Sequence, residues 1–313
     1  MNCSIVRCDN STVTDYYLEI IKKACQHVNS NENVTITAKA SDTLQAKKKK
    51  EKVIYWVQGI GPEESFMRHH SYLRLFLLSL REIKALRKAD FIFFVSEYMK
   101  KHYEHKYHLS FGDRKYYIMP CFNTEIHTAS FYVPEKYKNN TFAYIGSMSP
   151  WQSIDSIMAT YKKIEDSSLP NCSLEIYTTE QDEAKAKLEE FRIKNYYIGY
   201  CPNESLGEVL GHVKYGFIIR DDNEVNRVST PTKISTYLSH GLIPIFSKCL
   251  NSFYCYSKNM RFVVEENEIN KKLNEFREIS ADEVFEEYKE VFSSYYSEEY
   301  HIEMIRKSIG NSL

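Results

Sequence analysis

Short apolar runs alternate with amphipathic helical stretches along this chain, and the alternation breaks off and restarts near its middle. This pattern constrains the fold more than any other feature. A strand that follows a strand–helix segment rejoins its sheet in parallel, with the helix packed on the sheet face. In the first block, residues 4–8, 34–37, 52–58, 91–95 and 116–119 read as strands. Helices are expected over residues 15–28 and 71–88, and Ser96 reads as the cap of another. Residues 41–52, with the lysine run Lys47 to Lys50, read as a polar loop. In the second block, strands are expected at 141–146, 174–177, 196–200, 215–219 and 242–246. The helices between them are expected at 153–166, 181–192, 205–213 and 231–239, with a helical tail from about residue 267. The polar stretch 134–140 separates the blocks, so two parallel-sheet α/β domains are expected.

Composition agrees with two globular domains. The chain has 313 residues, 43% of them hydrophobic, enough for two cores. Lys plus Arg is 41 and Asp plus Glu is 42, which argues against a nucleic-acid binder. No apolar run approaches the roughly 18 residues of a membrane span, and the opening residues lack the pattern of a signal peptide. A cytoplasmic protein is therefore expected. None of the eight cysteines forms a CxxC pair, so reduced thiols are expected rather than zinc or disulfides.

Parallel sheets bind ligands at the carboxyl ends of their strands. Residues 215–246 carry the clearest chemistry there. A buried strand delivers Arg220, Asp221 and Asp222, and a polar loop containing Asn226 follows. Thr230 reads as a helix N-cap, Pro231 as the first helical residue and Gly241 as the C-terminal glycine. Lys233 falls in the first turn, near free amides and the positive end of the dipole, on a helix that also bears Thr232 and Thr236. With Arg220 it forms a candidate phosphate or diphosphate site. The alternative is an ordinary strand–helix–strand unit with a solvated Lys and Arg. In a second segment a strand ends at Gly146, and Ser147, Trp151 and Gln152 line the turn after it. A phosphate or sugar can approach bare backbone there. Trp151 is either core or a stacking face. In a third, Gln58, Gly59, Glu63 and Glu64 follow a strand end, where two carboxylates either bind hydroxyls or simply begin a helix. Asn10, in the polar turn after the first strand, joins them as an acceptor-side candidate.

Other signals carry less. His102, His105 and His108 drift by about 60° around a helix, which suits a surface stripe better than a metal. His69 and His70 either meet an acceptor or begin an exposed helix. The lysine run is either a solvated loop or a contact for anionic lipid headgroups.

Five pieces in order resemble the retaining, GT-B-fold glycosyltransferases of family four, especially the small bacterial enzymes of capsule and O-antigen synthesis. The strand 53–59 resembles "vvyTlHG", and Phe93-Phe-Val-Ser-Glu-Tyr-Met-Lys resembles "vSe.mk". Met119-Pro-Cys-Phe-Asn resembles "iPNGvd", and Phe142-Ala-Tyr-Ile-Gly-Ser-Met-Ser resembles "yvGrl". Residues 229–244 resemble the donor helix "sPtKl.EYla.GlpvI". The resemblance covers residues 52–246. It implies an α/β, GT-B fold, two Rossmann-like parallel-sheet domains facing a central cleft. Residues 1–137 would form the acceptor-side domain and 138–296 the nucleotide-sugar domain. Residues 297–313 would form a helix crossing back to the first.

The same resemblance implies transfer from a nucleotide-diphosphate sugar to a polyprenyl-linked saccharide acceptor. It implies no metal, no cofactor and no nucleic acid, with peripheral contact at the inner face of the cytoplasmic membrane. Gln58, Arg220 and Lys233 would be catalytic. Gly146, Ser147, Trp151, Gln152, Asn226, Thr230, Thr232 and Thr236 would hold the donor, and Asn10, Gly59, Glu63 and Glu64 the acceptor or sugar. Five positions depart from the family. Gln58 stands where the family commonly has His, and Val228 and Thr236 stand where it has paired glutamates. Ser147 and Gln152 replace its usual Arg and Lys, and Glu224 is a candidate substitute for the first glutamate. A catalytically silent partner subunit and a non-glycosyl nucleotide-binding protein are the rival readings.

Overall fold

The computed structural model describes residues 2–6, 12–26, 33–112, 115–167 and 169–310. The chain forms two compact units. The first takes residues 1–123, 227–230 and 293–313; the second takes 124–226 and 231–292.

In chain order the first unit begins with β1 (Asn2–Ile5), α1 (Thr12–Gln26), β2 (Asn33–Thr37), α2 (Ala40–Lys48) and β3 (Lys52–Val57). It continues with α3 (Gly61–His69), α4 (Tyr72–Lys88), β4 (Phe91–Phe94), α5 (Glu97–Tyr107) and β5 (Tyr116–Ile118). The strands form one parallel sheet in the order β1-β2-β3-β4-β5. Every residue of β4, and all of β3 after Lys52, is buried. Such unbroken apolar strands suit a sheet covered on both faces. α1 buries Tyr17, Leu18, Ile21 and Cys25, one stripe at three-to-four spacing. Ser71 and Ser96 cap α4 and α5, accepting the N–H of Arg74 at 3.3 Å and of Met99 at 2.9 Å.

The expected polar loop at 41–52 is a correction, because α2 occupies most of it. Only Thr43 and Ala46 of this helix are buried, so its apolar period is too sparse to read. It is held by tertiary contacts instead. Thr43 bonds Thr37 through their hydroxyls at 2.7 Å, and the helix packs on α4.

The second unit contains β6 (Asn140–Ile145), α6 (Ile154–Glu165), β7 (Cys172–Tyr177), α7 (Gln181–Glu190), β8 (Tyr196–Gly199), α8 (Leu206–Leu210) and β9 (Tyr215–Ile218). There follow α9 (Glu224–Val228), α10 (Thr232–Ser239), β10 (Ile243–Phe246), α11 (Asn251–Tyr256), β11 (Val264–Glu265), α12 (Ile269–Glu275) and α13 (Ala281–Ser293); residues 227, 228 and 293 of these belong to the first unit. The sheet is parallel with order β11-β10-β9-β6-β7-β8. Strand order reverses between β6 and β9. That switch point leaves a crevice outside the carboxyl ends of the two strands. Among the described strands, the first sheet has no such reversal.

Residues 124–137, read from the sequence as the end of the first domain, pack in the second unit. The buried Lys136 ammonium donates there to the carbonyls of Ser130, Leu210 and His240, at 2.9, 3.3 and 2.5 Å. The polar stretch 134–140 reads as the boundary between the blocks, but buried carbonyls need a donor and Lys136 supplies it. The last helix, α14 (Glu298–Gly310), packs on α1 in the first unit, where Lys23 pairs Glu298 at 2.6 Å.

Candidate functional site

β6 and β9, the two strands at the switch point, lead into Gly146 and Arg220. Gly146 has φ +135°, a conformation that side chains rarely adopt, and a Cβ there would lie 2.5 Å from Lys233 Cε and 2.6 Å from Nζ. The bare backbone after β6 therefore holds the end of the Lys233 side chain. Below it, the Tyr144 ring centroid is 4.9 Å from the ammonium. Lys233 Nζ donates to Gln152 Oε1 at 2.5 Å and to the Tyr144 hydroxyl at 3.5 Å, and that hydroxyl donates to the Ser147 carbonyl at 2.6 Å.

Arg220 lies two residues past β9 and is 5% exposed. Its N–H donates to Ser247 Oγ at 2.9 Å and its guanidinium to the Gln152 carbonyl at 2.7 Å. One residue, Gln152, thus accepts from both cations. Ser247 is held in turn by Glu266, at 2.7 Å.

Among the described residues, neither cation has a carboxylate partner within salt-bridge distance. Burial pushes the Lys233 ammonium well below its ordinary range, and the Arg220 charge pushes it further. Burial also lowers Arg220, with the Tyr144 and Tyr237 hydroxyls working the other way. Two converging cations with neutral partners are unfavourable unless an anion joins them. A phosphate or diphosphate answers that imbalance. α10 starts beside Lys233 with no side-chain cap, so its first amides add to the positive potential.

The other donor candidates are placed unevenly. Ser147 Oγ bonds Ser149 Oγ at 3.0 Å, and Trp151 sits half-buried in the turn Pro150–Gln152. Asn226 is buried, and its amide donates to the Asp221 carbonyl at 3.0 Å, bracing the loop after β9. Thr236 bonds back to the Thr232 carbonyl at 3.2 Å, as a hydroxyl inside a helix does. The expected cap at Thr230 is a correction. The helix begins at Thr232 with Pro231 in the cap position, and Thr230 Oγ1 instead accepts the Cys121 N–H at 3.0 Å within the first unit. Val228 is buried in that unit too, its carbonyl accepting from Ser96 at 2.7 Å. The alternative of a solvated Arg220 does not hold, because the side chain is buried.

The acceptor-side candidates belong to the first unit, except Asn10, which lies outside the described residues. A cavity of about 610 Å³ is lined by Gln58, Gly59, Glu64, Arg81 and Glu82 among others. Gln58 is exposed, and its Oε1 accepts from Thr14 at 3.1 Å. The two glutamates do begin a helix, α3, but their environments differ. Glu64 lies against Gly59, where a Cβ would meet its Oε1 at 2.1 Å, and burial pushes its carboxyl up. Burial opposes the Glu63 charge as well. There the hydrogen bonds of His102 and Lys106 and the Lys106 charge prevail, and the carboxyl sits below its ordinary range. Lys106 reaches Glu63 at 2.6 Å and Glu82 at 3.1 Å. Neighbouring carboxyls pushed in opposite directions are suited to different roles. Glu63 serves the ion-pair cluster, whereas Glu64 lines the cavity with its carboxyl raised by burial. His69 ends α3 and His70 caps its C-terminus, both exposed, so neither starts a helix.

Tyr144, Glu82 and Lys106 are contributors that the sequence reading missed. Tyr144 lies two residues before Gly146, on the same side of β6 by strand alternation, which was a usable signal. Glu82 is the only acid of α4 and falls on its apolar core side beside Ala85 and Leu86, where an acid demands a partner.

No protein-family model matches the sequence. No curated protein matches it. Solved structures do. The lipopolysaccharide outer core galactosyltransferase WaaB matches over 97% of this chain and 83% of its own, at 13% identity and TM-score 0.62. WaaG, a glycosyltransferase involved in lipopolysaccharide biosynthesis, matches over 97% and 98%, at 12% identity and TM-score 0.59. A variant of S. aureus TarM, in complex with fondaparinux, alpha-GlcNAc-glycerol and UDP, matches over 94% of this chain at 10% identity and TM-score 0.60. The present chain spans 58% of that TarM chain. The likeness is one of fold: an α/β chain with the two parallel-sheet domains of GT-B glycosyltransferases.

Proposed function

We propose that this chain is a retaining glycosyltransferase that moves a sugar from a nucleotide-diphosphate sugar to a saccharide acceptor without a metal ion. The observation that carries the reading is the convergence of Arg220 and Lys233 at the strand switch point with only neutral partners. Breaking the glycosidic bond leaves negative charge on the diphosphate, and cations fixed at that place stabilise it as it forms. Gly146 leaves room for Lys233, and Gln152 and Tyr144 set its direction. Gln58 has no titratable proton and orients a substrate hydroxyl by hydrogen bonding; Glu64 binds another. The acceptor would be a surface polysaccharide, carried on a polyprenyl lipid at the inner face of the cytoplasmic membrane. The lipopolysaccharide enzymes among the matched folds favour that acceptor, and the UDP in the TarM complex favours a uridine nucleotide.

The test is release of free nucleotide from a panel of nucleotide sugars, with and without excess chelator. Release that survives chelator supports the reading, and release only with added magnesium or manganese removes its metal-free part. Thr236 favours a second reading, a silent partner subunit, because it bonds back to its own helix where the family has a ribose-binding glutamate. Nucleotide-sugar binding with no release from any donor supports that alternative.

Two further results are expected. An anion in the site favours the charged form of Lys233, whose ammonium is depressed in the free protein. Affinity for a nucleoside diphosphate is therefore full below the free-state pKa and falls as pH rises through the higher bound-state value. Above the free-state pKa, binding takes up a proton. Calorimetry in buffers of different ionisation enthalpy measures that uptake, and proton release instead would contradict the assignment. Gln58→Ala should lower turnover about tenfold, ~1.4 kcal/mol, while the shape of the pH profile stays. Turnover within about twofold of wild type would show that the position is not catalytic.

A further inference from the structure

Outside the donor site, a buried carboxyl is linked to the backbone beside Gln58. Glu82, on the core side of α4, meets three residues of α5. Its Oε2 accepts from the Tyr107 hydroxyl at 2.6 Å and from the Lys106 ammonium at 3.1 Å. Its Oε1 lies 3.0 Å from the hydroxyl of the buried Tyr103, which also reaches the Gly59 carbonyl at 2.9 Å. A tyrosine hydroxyl has one proton to give, and a carbonyl and a carboxylate both only accept. With Glu82 ionised, Tyr103 therefore serves one of them at the expense of the other. With Glu82 neutral the count closes. Oε2 already takes two donors, so the acid proton sits on Oε1 and is donated to Tyr103, whose own proton goes to Gly59. Charge favours the neutral form. Lys106 is shared with Glu63, which it reaches at 2.6 Å, and one ammonium balances one buried carboxylate. His102 faces Glu63, at 3.6 Å, Arg81 is exposed, and Glu64 and Tyr55 bring no cation. Burial pushes the Glu82 carboxyl up, and the Glu63 charge adds to it against Lys106 and Tyr107.

We propose that Glu82 is a positioning residue, a neutral carboxylic acid that orients the peptide between Gly59 and Ile60 through Tyr103. The carbonyl of that peptide accepts from Tyr103, and its N–H, on Ile60, donates to the Glu64 carboxyl. Glycine has no side chain by which packing could fix the plane, so these two hydrogen bonds set it. Gln58, Gly59, Glu64 and Glu82 line one cavity, and the chain of bonds runs from its buried wall to the carboxyl it offers a ligand. Ionisation of Glu82 turns the Tyr103 proton away from Gly59 and leaves Glu64 less firmly held. The inference deepens the acceptor-side reading of this cavity. Its readouts need no substrate, so either can fail alone.

The test uses the full chain at about pH 6, well above the ordinary glutamate pKa of about 4.3. Its infrared spectrum should carry a protonated-carboxyl band that Glu82→Gln removes. Gly59–Ile60 is the one Gly–Ile step in the sequence. Glycine labelled with carbon-13 at the carbonyl, together with isoleucine labelled with nitrogen-15, therefore gives a single cross-peak that reports the Gly59 carbonyl. Tyr103→Phe should move that carbon upfield, as loss of a hydrogen bond does. As pH rises and the carboxyl band fades, the wild-type carbon should move toward the same place, because the carboxylate then takes the Tyr103 proton. In Glu82→Gln the side-chain amide donates to Tyr103 at every pH, so the carbon should stay at its wild-type position at about pH 6. Absence of the band at about pH 6 overturns the proposal. So does a carbon that ignores Tyr103→Phe, or one that stays in place while the band fades. A carbon that titrates in Glu82→Gln as in the wild type would put the change on His102 and overturn it too.

Discussion

Lys233→Ala and Arg220→Ala are each expected to lower turnover about 10²-fold or more, ~2.7 kcal/mol. A cation aimed at the leaving diphosphate acts most where charge is still growing, so its loss falls on turnover more than on donor affinity. Both cations converge on one residue, Gln152, which holds them in place. Little reorganisation remains to be made during reaction. Ser147 and Gln152 stand where the motif that the sequence resembles has cations, so no obvious substitute is at hand. Steady-state transfer and a thermal melt are measured together. Lys233 is half-buried and its variant should keep the wild-type melt. Arg220 is buried and donates to the Gln152 carbonyl, so its variant should also lose about 1–3 kcal/mol of stability. Near-normal turnover in both folded variants would move the anion site elsewhere, and the donor assignment would fall with it.

Gly146→Ala is expected to lower turnover as well, for a different reason. The new methyl would lie 2.5 Å from Lys233 Cε, so the lysine must leave its place over Tyr144. The backbone at φ +135° adds strain of about 1–3 kcal/mol for a residue with a Cβ. Turnover should fall at least about tenfold through misplacement of the ammonium. A double-mutant cycle separates the two effects. With Lys233 already replaced by Ala there is nothing left to displace, so Gly146→Ala should then cost stability but little further turnover. Full additivity in turnover would show that Gly146 acts independently of Lys233.

The parallel-sheet architecture was legible because it depends on local pattern. Buried strands such as Phe91–Phe94 are continuously apolar, α1 repeats its apolar stripe at three-to-four spacing, and Ser71 and Ser96 cap the helices they precede. Where local pattern was thin, reading failed. α2 buries two residues and looked like a loop, and residues 124–137 read as the end of the first domain, although Lys136 ties them into the second unit. Gly146, Lys233 and Arg220 could be proposed as partners because each sits at a strand or helix end, which topology brings together.

The sequence by itself determined which residues carry charge and which strand ends carry glycine. It did not determine which charges are paired, because pairing depends on side chains far apart in the chain. Glu63 and Glu64 are neighbours, yet one answers Lys106 and the other rests against Gly59, since successive residues of a helix point about 100° apart. Only the tertiary structure decided that Lys233 and Arg220 share a neutral Gln152, and that Thr230 serves Cys121 and not the helix it precedes. The physical reason is burial. Removal from water makes a partner or its absence matter to a charged or polar group, and burial is a property of the packed chain.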